Sequence, residues 1–281
     1  MKRSFCGFAL SLLLFSMPNA EVQSGTLIVF YFSKDQIAVA ADSRGLFIGT
    51  DRPPDDTQCK VATINGQVLF ASSGGTEFNP RYSLGPVRSW DNIAEARRSY
   101  EGIYSNTVGE HTLRMVADAW GTTMVSNWQS LYFVNKRLVQ QTAERQNGYL
   151  TQALWGGFDT AKSVTLFLTE IALDDASIKP ISYRIRRINS CPHELCILGR
   201  GELAKELLLG ATDRAKAEIA NWKPSPSYDP KFRELLRAVR LIDLTIASGD
   251  ERTVGGEIDA VQLSSDGSVL WLARKNNCQA D

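Results

Sequence analysis

Thr26 and Asp42, at the two ends of the opening stretch, are the residues there whose types could do chemistry. Thr26 follows Gly25 and opens an apolar, β-branched run over 26–32. A polar turn at 33–36 leads into a second apolar run over 37–41, which stops at Asp42-Ser43-Arg44. If the two runs pair as a hairpin, Asp42 lies beside the start of the first. A threonine hydroxyl is a poor nucleophile at neutral pH and needs a base. An α-amine, with a reference pKa of about 8, can supply one, but only if Thr26 begins the mature chain. Gly25 suits this requirement, because glycine tolerates the unusual backbone in which a hydroxyl attacks its own preceding peptide.

The elements around these residues must hold them in place. Both opening runs are apolar on both faces, so protein should cover both faces. Residues 46–58, rich in Gly, Pro and Asp, read as a loop. Runs over 59–64 and 68–72 flank Asn65-Gly66, a tight-turn dipeptide, and the second ends in Ser73-Gly74-Gly75-Thr76. A short helix is expected at 92–98. Apolar residues at helical spacing over 109–133 (Leu113, Val116, Ala117, Trp120, Met124, Trp128, Leu131) predict a long one. A further helix over 136–146 precedes strands over 150–157, 163–172, 181–188 and 195–198. Helices over 202–222 and 230–248 and a closing hairpin over 258–264 and 268–273 complete the chain. Strands and helices come in groups rather than alternating, which argues against a doubly wound parallel sheet. The expected class is α+β: two facing antiparallel sheets with a helix pair on each outer side, a four-layer αββα sandwich. No repeat or linker divides the chain, so one domain is expected.

The chain has 281 residues, 43% of them hydrophobic, and no formal net charge. A nucleic-acid partner is not expected, because no basic excess exists to neutralise phosphates. At the N-terminus, Lys2-Arg3 precedes an apolar run over 8–17 and a small-residue stretch ending at Ala20. That run is shorter than the roughly 20 residues needed to span a bilayer. It reads as a signal peptide over 1–20, with export to a periplasm or beyond and no membrane anchor. Cys6 leaves with it. Cys59, Cys191, Cys196 and Cys278 remain, an even number that allows two disulfides in three pairings, or four free thiols. Cys191 and Cys196 are close enough to pair across a tight turn, which would leave Cys59 with Cys278. A metal site at Cys191-Pro192-His193-Glu194-Leu195-Cys196 would need a second ligand cluster, and the only other histidine is His111. No metal or other cofactor is expected.

Gly25-Thr26 and the run ending Ala40-Ala41-Asp42-Ser43-Arg44 resemble the opening of proteasome β subunits and their bacterial relatives, the N-terminal-nucleophile (Ntn) hydrolases. In that family a propeptide ends in glycine and the mature chain begins with threonine. The resemblance implies the αββα fold and assigns roles to five residues. Thr26 is the nucleophile, with its α-amine as base. Lys60, opening the third strand, lowers the pKa of the hydroxyl and orients it, and Asp42 keeps that lysine charged. The backbone N–H of Gly74 donates to the oxyanion. Glu251 stands where the family has an aspartate that supports the amine, with Asp250 beside it as the alternative. Two positions depart from the pattern. Arg200 in Gly199-Arg200-Gly201 replaces a serine, and Val254 before Gly255-Gly256 replaces another. Residues 21–25 would form a short propeptide-like remnant, to be removed by self-cleavage, ahead of a domain over 26–281. The implied activity is that of an exported threonine hydrolase acting on a peptide or other amide substrate. The alternative is a non-catalytic scaffold or ring-forming subunit of the same fold. A ring of copies of the chain is implied by the resemblance alone.

Overall fold

The computed structural model describes residues 20–25, 27–80, 87–103, 109–191, 195–209, 232–248, 253–275 and 278. Thr26, Glu251 and the expected signal peptide up to residue 19 lie outside them. The protein is α+β, with two antiparallel sheets and five helices among the described residues.

The eight-stranded sheet contains β1 (Ala20–Gly25), β4 (Gly45–Ile48), β5 (Val61–Ile64), β6 (Val68–Pro80), β7 (Trp90–Asp91), β8 (Tyr149–Phe158), β9 (Val164–Leu173) and β10 (Ile181–Arg187). Its main path runs β10-β9-β8-β6-β1-β4. The five-stranded sheet contains β2 (Leu27–Phe32), β3 (Gln36–Asp42), β11 (Cys196–Gly199), β12 (Ile258–Ser264) and β13 (Val269–Ala273), in the order β11-β2-β3-β12-β13. Consecutive strands on the chain, β1 and β2, therefore belong to different sheets. The chain passes from one to the other between Gly25 and Leu27.

The helices are α1 (Asn92–Gly102), α2 (Glu110–Val134), α3 (Lys136–Arg145), α4 (Glu202–Leu209) and α5 (Arg233–Ser248). The first three pack on the eight-stranded sheet and the last two on the other. Local chemistry starts α1 and α3: Asp91 accepts from the Ala94 N–H, and Asn135 accepts from the Leu138 N–H. The stripe on α2 buries Leu113, Val116, Trp120, Met124, Trp128 and Leu131 completely or nearly so. Phe70 on β6 meets Trp120 and Trp155 edge-on at 5.8 and 4.6 Å. Such pairs add roughly 0.5–1.5 kcal/mol each beyond area burial. A second core joins the sheets, with Ile28, Phe30 and Val39 meeting Leu69, Leu154 and Leu168. A third sets Leu27, Val29 and Ala40 against Leu235, Ala238 and Ile242 of α5.

The Asn65-Gly66 hairpin forms as its sequence predicts. Both turn residues have positive φ, 51° and 61°, as a primed turn requires. Three features differ from the sequence reading. Residues 21–25, to which the sequence reading assigned no element, form most of β1. The loop expected over 46–58 contains most of β4. The strand expected to end at residue 72 continues through Gly74-Gly75 to Pro80. These three depend on one another. Val22 pairs with Ile48 on one side and Phe78 on the other. Pairing across the chain thus overrides the local glycine and proline signals. The helices expected over 202–222 and 230–248 are seen as α4 and α5, with residues 210–231 outside the description.

Both disulfides pair as the short Cys191–Cys196 turn predicts, Cys191 with Cys196 and Cys59 with Cys278. Among the described residues no helix is long and apolar enough to cross a membrane.

Candidate active site

The site lies where three strand ends meet. On β6, Ala71 pairs with Val61 on one edge and Leu154 on the other, while Gly74 pairs with Gly25 and Thr151. Strands β1 and β5 therefore lie end to end along the same edge of β6. Gly25 closes one and Lys60 precedes the other. Lys60 is anchored by its carbonyl, which accepts from the Ser72 N–H at 2.9 Å.

From there the Lys60 side chain runs beneath Gly25. A Cβ added to Gly25 would meet Lys60 Cε at 2.4 Å and Gln58 Oε1 at 3.1 Å. No side chain larger than hydrogen fits without displacing the lysine stem. Lys60 is fully buried, and its Nζ donates to Asp42 Oδ1 at 2.6 Å and to the Arg44 carbonyl at 2.9 Å. Burial pushes this ammonium below the ordinary lysine value, against the pull of Asp42.

Asp42 is also fully buried and satisfied on both oxygens. Besides Lys60, Oδ1 accepts from the Leu27 N–H at 3.0 Å. Its Oδ2 accepts from Gly255 N–H at 3.0 Å and Arg44 N–H at 3.3 Å. The Gly255 carbonyl in turn accepts from Ser43 N–H and Arg44 N–H at 3.1 and 2.9 Å. Side-chain space is absent here too, since a Cβ on Gly255 would lie 2.4 Å from Arg44 Cζ. Arg44 is held by a two-point ion pair with Asp56, at 2.6 and 2.9 Å. The Gly255-Gly256 loop thus closes over Asp42 and leaves it turned toward Lys60.

Gly74 faces Gly25 across the ladder. Its φ is +83°, and a Cβ there would sit 2.6 Å from the Leu150 carbonyl oxygen. A bulge accompanies it: Gln23 pairs with Glu77 and Ser24 with Gly75, so Thr76 is extra. The Thr76 hydroxyl bonds back to the Gln23 carbonyl at 3.1 Å, and Gln58 Nε2 donates to that same hydroxyl. On the other flank, Gly199 pairs with Leu27, and a Cβ on Gly201 would lie 2.7 Å from Leu27 Cδ1. Arg200 therefore lies between two glycines that both approach Leu27.

Of the five residues singled out in the sequence, the structure brings Asp42, Lys60 and Gly74 together around Gly25 and Leu27. Thr26 and Glu251 lie outside the described residues. Sequence reasoning missed three contributors. The Arg44 carbonyl and the Gly255 N–H are backbone groups, and only the Gly255-Gly256 pair hinted at the second. Gln58, between β1 and the Lys60 stem, carries no sequence signal. Compared with known proteins, the chain matches no family model and no curated protein.

Proposed function

We propose that the chain is an exported threonine-type Ntn hydrolase that cuts its own Gly25–Thr26 bond and then hydrolyses peptide or other amide bonds. The observation that carries this reading is the placement of both neighbours of Thr26. Gly25 lies against the Lys60 stem and opposite Gly74, and the Leu27 N–H is bound by Asp42, the partner of Lys60. The αββα sandwich belongs to the same reading and is supported by the three cores. So do a single domain over 26–281 and export by a leader over 1–20, with which the two disulfides agree.

In the first reaction the Thr26 hydroxyl oxygen bonds to the Gly25 carbonyl carbon, whose oxygen becomes an oxyanion. The C–N bond then breaks as the Thr26 nitrogen takes the hydroxyl's proton, leaving an ester. Water hydrolyses the ester, releases the Gly25 carboxylate and restores the hydroxyl, so one water is consumed per bond cut. Lys60, paired with Asp42, favours the developing charge on the hydroxyl oxygen. The N–H of Gly74 serves the oxyanion, a contribution of about 3–4 kcal/mol for such donors. Thereafter the freed α-amine accepts the hydroxyl's proton when a substrate amide is attacked.

The substrate class favoured is an extended peptide. Segment Ala20–Gly25 is a strand paired with β4 and β6 at once. Once cut and released, it leaves a slot with two open edges, which another extended chain fills by the same main-chain hydrogen bonds. The test is the intact mass of the exported protein and of Thr26→Ala. The wild type is expected to begin at Thr26, while the variant keeps residues 21–25 and hydrolyses no amide. The scaffold reading draws on a different observation. Val22 is wholly buried in the sheet, as a permanent strand would be. It prevails if wild type and variant both begin at Glu21.

A further inference from the structure

A second buried lysine–aspartate pair stands beside the first. Lys275 is only 4% exposed and Asp259 is fully buried. Lys275 Nζ lies 2.8 Å from Asp259 Oδ2, and its backbone N–H donates to Asp259 Oδ1 at 3.0 Å. Asp259 is paired across the sheet with Ala41, next to Asp42. The same Nζ donates to the Gln58 carbonyl, two residues before Lys60. Between them, Cys59 is bound to Cys278, 219 positions away in sequence. The Cys278 N–H closes the turn onto the Lys275 carbonyl at 3.1 Å. The two residues that precede Lys60 are therefore both tied to the segment around Lys275 and Cys278. Through its side chain, Gln58 also reaches Thr76 and so the Gln23 carbonyl of the pro-strand.

Stability alone is a weak reason for such a pair. Two buried charges lose much hydration, and apolar residues of similar volume often stabilise as well or better. A fixed direction for the Gln58-Cys59-Lys60 backbone is what Lys275 supplies and an apolar side chain would not. We propose that Lys275 and Asp259, locked by the Cys59–Cys278 disulfide, are positioning residues for Lys60, so that cleavage at Gly25–Thr26 waits for this C-terminal clamp to be oxidised. The proposal rests on the self-cleavage reading given above. Oxidation is by exchange with an external disulfide. The Cys59 and Cys278 thiols lose two protons and two electrons, and the external disulfide leaves as two thiols. In a reducing compartment the clamp stays open and the chain stays a precursor; after export it closes and the chain matures.

The experiment follows the intact mass of the full exported chain over time, with circular dichroism and thermal unfolding on each sample. Wild type, K275M, K275R, the double variant C59S/C278S and the control C191S/C196S are compared. Maturation to a chain beginning at Thr26 is expected to slow by roughly tenfold or more in K275M and in C59S/C278S, as when second-layer partners of a site are removed. K275R, which keeps a cation able to reach the Gln58 carbonyl, recovers part of the rate, and C191S/C196S matures like wild type. If C59S/C278S does not fold, K275M decides, since methionine fills the lysine stem and the disulfide is intact. Folded K275M maturing at the wild-type rate overturns the clamp and leaves self-cleavage standing. A wild type that stays at its precursor mass overturns both.

Discussion

Among the described residues two buried lysine–aspartate pairs stand close together, Lys60–Asp42 and Lys275–Asp259, and they differ in what else each cation touches. Each lysine has one carboxylate partner and one backbone carbonyl partner: Arg44 for Lys60, Gln58 for Lys275. Lys60 has in addition the Gly25 backbone against its stem. Asp42 also binds the Leu27 N–H, whereas Asp259 binds the backbone of its own lysine. The first pair therefore reaches both Gly25 and Leu27, and the second holds the segment that carries the first. Identical chemistry thus takes different work from its neighbours, which residue types alone do not announce.

The sharpest way to break the comparison is to remove the cation of the first pair. Lys60→Met leaves Asp42 buried without its charge partner. Breaking a buried pair in this way costs about 3–5 kcal/mol. Self-cleavage is expected to vanish as well, a fall on the order of 10⁴-fold, as when one member of a catalytic group is deleted. Denaturant unfolding and intact mass read the two effects separately. A folded Lys60→Met chain that still begins at Thr26 would remove Lys60 from the reaction.

Gly74→Ala acts on the next link and should do less. It forces a side chain into a residue with φ of +83° and against the Leu150 carbonyl, a strain of roughly 1–3 kcal/mol. Relief of that strain shifts the Gly74 backbone, so maturation should slow by about 10²–10³-fold, the usual effect of losing one oxyanion donor. Equal stability loss with unchanged maturation would leave Gly74 a purely conformational glycine.

What could be read beforehand follows the same division. The Asn65-Gly66 turn and the α2 stripe were legible because each rests on residues close in sequence or on a short, repeated period, whereas Asp42, Lys60 and Gly74 were singled out together only by resemblance to a known family's order and spacing. The two disulfides were legible because a sequence separation of 5 between Cys191 and Cys196 allows a closed turn, leaving one pairing for the other two. β1 and β4 were not, because neither is a strong strand alone. Glu21-Val22-Gln23-Ser24-Gly25 and Gly45-Leu46-Phe47-Ile48 become strands only against each other and β6. Lys275 and Asp259 were illegible for a related reason: a lysine and an aspartate 16 positions apart have no pattern until the sheet and the Cys59–Cys278 bond bring them under Gln58.

The smallest expected effect separates charge from packing at Lys60. Removal from water is the largest influence on its ammonium and lowers its pKa. Asp42 opposes this, Lys275 adds to it and Asp259 opposes it more weakly. Lys60 should therefore lose its proton below the ordinary value of 10.5. During self-cleavage the Thr26 nitrogen is still an amide, so no α-amine titrates in this reaction. The maturation rate should fall on the alkaline side at a pH below 10.5. Stability moves the other way through the same window. There the unfolded chain, with its normal lysine, binds more protons than the folded one, so this group's contribution to stability rises with pH. Maturation rate and thermal unfolding measured together across that range give the test. A rate that falls while the unfolding temperature holds or rises assigns the loss to the Lys60 charge. A rate that falls only as the protein unfolds assigns it to the fold, and the two lysine–aspartate pairs would then differ in position alone.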